Sequence, residues 1–146
     1  MQIPHNSFVL VADGRKSLFF RNEGDADFPN LVVEREHDQP DAKDRDIKTD
    51  GPGRAFSSVG AGRSALEEAD FHQQAEDRFA VETAKMLDDW ARRNAADALV
   101  VVAPPRMLGE LRKHYHKEVA RRLVAELPKD LVNVPVPEIE KILQDA

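Results

Sequence analysis

Ala98–Ala103 reads ALVVVA, and its surroundings decide the fold. A continuous apolar run of strand length, with no polar residue to face solvent, is the pattern of a strand covered on both faces. Pro104-Pro105 closes it. Before it, from Ser64 to about Asn94, nothing breaks a helix, and Ala75, Phe79, Thr83, Met86 and Trp90 recur at steps of three and four. That spacing predicts a long amphipathic helix with Trp90 as its core anchor and His72 at the edge of the core. Ser64, with Glu67 in the matching position of a capping box, predicts the helix start. A buried strand directly after such a helix points to an α/β fold with helices on the faces of a sheet.

Towards the N-terminus, Ser7–Asp13 (SFVLVAD) and Lys16–Asn22 (KSLFFRN) flank the turn residues Gly14 and Arg15, which predicts a hairpin. Leu31–His37 (LVVEREH) alternates and predicts a third strand. Beyond Pro105 the pattern predicts a helix over Arg106–His114. A helical continuation follows over Tyr115–Leu127, with Val119, Leu123 and Leu127 on one face. A short strand is predicted at Leu131–Val134 and a terminal helix at Val136–Gln144, with Pro137 at its start. The order β-β-β-α-β-α-β-α predicts a mixed sheet in a single three-layer-like α/β domain spanning residues 1–146. One long Gly/Arg loop, residues 39–63, interrupts it. It has almost no apolar content and no period, and structureless insertions of that length in compact domains are usually functional or disordered.

The 146-residue chain has no cysteine, which removes disulfides, thiolate metal sites and thiol nucleophiles together. No basic segment followed by an apolar core opens the sequence, and no apolar run is long enough to span a bilayer, so a cytoplasmic protein without a membrane partner is expected. The net charge of −6 argues against a general nucleic-acid coat. The charge is uneven, however. Between Ala65 and Asn94 eight acids oppose four bases, whereas between Pro104 and Arg122 two acids oppose six bases: Arg106, Arg112, Lys113, Lys117, Arg121 and Arg122. Such a segment is either a solvated helix surface or a basic patch for an acidic partner or RNA phosphate.

No residue set spells out an enzyme, and no cofactor is expected. His114 and His116 stand two apart, a spacing that on a helix points them to different faces and away from a shared metal. Asp13 after the first strand could join strand-end carboxylates around a divalent metal, as in a hydrolase or nuclease. Beside Gly14 it is equally a turn aspartate. Gly51-Pro-Gly53-Arg54 and Gly60-Ala-Gly62-Arg63 could form anion-binding nests, because glycines let backbone N–H groups converge. Their spacing is neither a P-loop nor a dinucleotide fingerprint.

Four segments carry a resemblance: VLVADGRKSLFFRN (9–22), GPGRAFSSVGAGRSALEEADFHQQAEDRFA (51–80), LVVVAPPRMLGELR (99–112) and KDLVNVPVPEIEKIL (129–143). Together they resemble the bacterial family named for proteins required for attachment to host cells, over nearly the whole chain. That family is in turn similar to the central domain of eukaryotic and archaeal class 1 peptide-chain release factors. The resemblance implies a mixed α/β fold. It implies an indirect part in attachment to plant cells, and a working loop ahead of the long helix. In release factors that loop carries Gly-Gly-Gln; here the matching place reads Gly60-Ala61-Gly62-Arg63, without the glutamine. The expectation is therefore a non-enzymatic binding protein. Gly51, Gly53, Arg54, Gly60, Gly62 and Arg63 would form its binding loop and the 104–122 bases a supporting patch. Its partner would be the ribosome or RNA, and a homo-oligomer is compatible with the sequence.

Overall fold

The structure, a computed structural model, describes residues 1–39, 61–93 and 98–146; the side chains of 61–64 lie outside that description. Its elements are β1 (Phe8–Ala12), β2 (Lys16–Asn22), β3 (Leu31–Asp38), α1 (Ala61–Arg93), β4 (Leu99–Ala103), α2 (Pro105–Arg112), α3 (Lys117–Arg122), β5 (Leu123–Pro128) and α4 (Val136–Asp145). The five strands form one sheet in the order β3-β2-β1-β4-β5. β1, β2 and β3 pair antiparallel, while β4 runs parallel to both β1 and β5. This is the α/β class with a mixed sheet that the sequence predicts.

The two apolar runs, β1 and β4, lie side by side and every residue of both is buried. Alternate residues go to opposite faces. Phe8, Leu10 and Ala12 join Leu99, Val101 and Ala103 beneath α1, α2 and α3. Val9, Val11, Val100 and Val102 meet Ile3, Leu131 and Val132, with Ile139 and Leu143 of α4. Two apolar faces on one strand pair require cover on both sides, which is why the helices divide into two layers.

α1 buries Ala75, Phe79, Ala80, Thr83, Ala84, Leu87, Trp90 and Ala91. The predicted stripe is there, except that Met86 is only partly buried and Leu87 takes its place in the core. Ser17 and Thr83, both fully buried, satisfy each other through a 2.8 Å hydroxyl–hydroxyl hydrogen bond between β2 and α1.

A β-bulge in β3 sets up the contact between its edge and Trp90. Phe19 pairs with Arg35 and Phe20 with Val33, leaving Glu34 as the extra residue. Glu34 accepts a hydrogen bond from Trp90 Nε1 at 2.9 Å and pairs with Arg21 at 2.7 Å.

Three expectations need correction. The helix is already under way at Ala61, so Ser64 lies within it and cannot be the N-cap. Residues 61–63 of the predicted loop are accordingly helical. The predicted helix over Tyr115–Leu127 divides into the short α3 and the strand β5, and Leu131–Val134 forms a turn. Leu123, Ala125 and Leu127 fit a period of two as well as the helical spacing fits Val119, Leu123 and Leu127. The buried edge of β4 decides between them, because its unpaired N–H and C=O groups would otherwise be buried without partners. Thirdly, His72 is exposed on α1 rather than at the core edge, beside Phe71 with ring centroids 6.3 Å apart.

β5 places Glu126 opposite Val101, on the α1 face of the sheet. There it accepts from Arg112 Nε at 3.1 Å and from the Tyr115 hydroxyl at 3.3 Å. Burial, reinforced by the Glu126 charge, raises the Tyr115 phenol well above its ordinary value. Tyr115 is the one tyrosine in the chain. Absorbance titration should therefore show no phenolate near pH 10 while the protein is folded. The sign follows from linkage: a group raised in the folded state gives stability that is present below its unfolded value and lost above it. Stability should begin to fall near pH 10, and Tyr115→Phe should flatten that fall. Phenolate appearing near pH 10 in a folded sample would contradict the buried contact.

Candidate functional site

Of the loop residues singled out in the sequence, Gly51, Gly53, Arg54 and Gly60 lie outside the described residues. Gly62 and Arg63 belong to the first turn of α1. What the structure does show is how that helix begins. Every residue from Ala65 to His72 is exposed, Gln73 is half-buried, Gln74 is exposed, and Ala75 is the first to enter the core. Leu66 is 74% exposed and Phe71 40%. A surface helix ordinarily buries an apolar stripe along its length. In this one an arm of about 15 Å from Ala65 to Gln74, at 1.5 Å per residue, sends no side chain into the core.

The six bases of the 104–122 segment are largely answered within the chain. Arg112 pairs with Glu126 at 3.1 Å and Lys113 with Glu110 at 2.9 Å. Arg121 and Arg122 both reach Glu118, at 2.8 Å and 2.6 Å. Those two hydrogen bonds, Arg121 first, hold the Glu118 carboxyl below its ordinary value. The hydrogen bond to Glu110 raises the Lys113 ammonium above its own. Arg106 and Lys117 are exposed and have no such partner among the described residues.

The bases also divide between two depressions. Lys117, Arg122 and His116 line a broad one with Arg92 and Glu118, about 550 Å³ in volume. Arg106 lines a smaller one of about 180 Å³. The smaller cleft lies where the parallel strands β1 and β4 end. β1 turns back into the hairpin, whereas β4 leads into the crossover to β5, so the two chains diverge and leave a crevice. In open α/β sheets that is the position where ligands bind. Its walls come from Gly14 after β1, Pro104 after β4, Glu76 and Asp77 of α1, and Arg106, Met107 and Glu110 of α2. Sequence reading missed Gly14, Glu76 and Asp77 as site residues, because nothing local to them signals a partner.

Asp13 serves the β1–β2 turn. Its Oδ1 accepts from the Arg15 and Lys16 backbone N–H groups at 2.8 Å and 2.7 Å, the geometry of a turn aspartate. Among the described residues no group of three His, Asp or Glu side chains could hold a metal ion. His114 follows α2 and His116 precedes α3, so the two serve separate elements. The hydrolase alternative has no support in this geometry. Among the described residues no helix is long and apolar enough to cross a membrane.

A family model described as bacterial archaeo-eukaryotic release factor family 12 matches residues 6–143. No curated protein matches the chain.

Proposed function

The chain belongs to family 12 of the bacterial archaeo-eukaryotic release factors, and on that premise we propose that it is a translation-associated binding protein that engages the ribosome or RNA through residues 51–63. The observation that carries this reading is the exposed first stretch of α1, Ala65–His72. The arm contributes nothing to the core, yet it stands directly after the segment that the sequence singles out. Arg54 and Arg63 are the charged residues between Gly51 and Ser64, with no carboxylate among them. Two arginines just before and within the exposed start of a helix suit contact with phosphate, where Arg gives bidentate hydrogen bonds. Arg106 and Lys117 are further cations available to such a partner.

The proposal is binding rather than peptide release. Arg63 stands where the release-factor motif ends in glutamine, so the group expected at the reacting centre is missing. An effect on host attachment, the other side of the sequence resemblance, would then be indirect, acting through translation of surface proteins.

Co-sedimentation with ribosomes over a salt series tests the reading. The wild type should associate at low salt and dissociate as salt rises. Arg54→Ala/Arg63→Ala should weaken association severalfold and make the logarithmic salt dependence shallower by roughly 0.7–0.9 per arginine. Absence of association at low salt, or a double variant indistinguishable from wild type, would refute it.

A further inference from the structure

We propose that the 180 Å³ cleft at the ends of β1 and β4 is a binding site for a small zwitterion, of the chemical class of free α-amino acids. The cleft carries charges of both signs on four side chains, and two of them have partners. Asp77 accepts from Gln73 Nε2 at 2.7 Å, and Glu110 pairs with Lys113 at 2.9 Å. Two remain. Glu76 on α1 and Arg106 on α2 line the same cleft and have neither each other nor any other ion-pair partner among the described residues. A carboxylate and a guanidinium left open in one cleft fit a ligand that carries an ammonium and a carboxylate of its own. Pro104 and the nearly buried Met107 also line it and offer apolar surface to a short side chain.

Gly14 lies directly against Glu76. The glycine has no positive φ, so its conformation does not require the residue type. Its lack of a side chain leaves room for Glu76 where it stands: a Cβ there would lie 2.8 Å from both Cγ and Cδ of Glu76 and 3.0 Å from its Oε1, and would displace that side chain. The missing side chain lets Glu76 lie across the β1–β2 turn at the cleft. Size narrows the ligand further. Clefts for drug-sized molecules span about 300–1,000 Å³, and 180 Å³ is too small for a nucleotide. A ligand held between Glu76 and Arg106 would join α1 to α2 at the root of the exposed arm. This inference does not depend on ribosome binding.

The test is titration of the 146-residue chain with the common L-amino acids, one at a time, read by two-dimensional amide NMR. Ethylamine and propionate serve as single-charge probes. At least one amino acid should give saturable shifts at Gly14 and along α2, with a Kd of about 1 mM or below. Ethylamine and propionate should each bind about tenfold more weakly or not at all. Glu76→Gln and Arg106→Gln should each weaken binding about tenfold, while Lys117→Gln in the other depression leaves it unchanged. Arg106 is exposed, so its variant should fold whatever becomes of Glu76→Gln. Three results would overturn the proposal: no amino acid producing shifts, ethylamine or propionate binding as tightly as any amino acid, or undiminished affinity in Arg106→Gln.

Discussion

Trp90→Ala should destabilise the protein by about 3–5 kcal/mol, the range for truncating a large buried aromatic side chain. Against a typical domain stability of about 5–15 kcal/mol, that approaches unfolding. Trp90 is 3% exposed. It stacks on Phe8 at 3.9 Å between ring centroids and meets Phe19 edge-on at 5.2 Å. Its indole N–H reaches the bulge residue Glu34, and the Arg21 guanidinium lies 5.5 Å from the Phe8 ring centre. One side chain therefore joins α1 to β1, β2 and β3. Trp90→Phe retains much of the ring packing and loses the hydrogen bond, so it should cost less, with about 1 kcal/mol from the hydrogen bond. Urea denaturation followed by far-UV circular dichroism measures both, because the substitutions remove the one tryptophan. A loss under about 1 kcal/mol for Trp90→Ala would mean that the stack is absent in solution.

Asn22→Ala is the second large effect, and it acts through hydrogen bonds. Asn22 is fully buried at the end of β2. Its Nδ2 donates to the carbonyls of Ile3 at 2.8 Å and Pro4 at 3.2 Å. Its Oδ1 accepts from the backbone N–H groups of Gly24 at 2.9 Å and Asn30 at 2.8 Å. The β2–β3 connection and the N-terminal segment are thus tied to one amide. Gly24 is part of the same fit, since a Cβ there would collide with the Phe28 carbonyl oxygen. Each group left buried without a partner costs roughly 1–3 kcal/mol, so the variant should lose about 3–5 kcal/mol. Asn22→Asp keeps both acceptor contacts but turns an oxygen towards the two carbonyls, and should also be strongly destabilised. Amide hydrogen exchange adds a local readout: Gly24 and Asn30 should lose protection in Asn22→Ala. Unchanged protection at both would show that Asn22 does not hold the connection.

Much of the site's raw material was legible in the sequence, but its assembly was not. Arg106 stood out as part of a basic segment, and Gly14 as a turn residue. Neither reading contains the cleft. Arg106 matters there because α2 starts where β4 ends, and Gly14 because Glu76 of α1 lies against it. The basic patch changed most on folding. Glu110, Glu118 and Glu126 neutralise Arg112, Lys113, Arg121 and Arg122. Glu126 stands too far along the chain from Arg112 for any local rule to have paired them.

The sequence by itself determined β1, β2, β4, α4 and the core stripe of α1, because each carries an apolar pattern that its local geometry buries; β3, of which only Leu31 is buried, was legible from its alternation. β2 runs over the predicted residues, Lys16–Asn22. Tertiary structure alone decided β5, whose residues satisfy both the helical and the strand period. It also decided that α1 enters the core from Ala75 onward and leaves Ala65–His72 exposed. The physical reason is one of range. Periodicity records which face of an element must be buried, whereas the partner that buries it, or fails to, is set by chain segments far away in sequence.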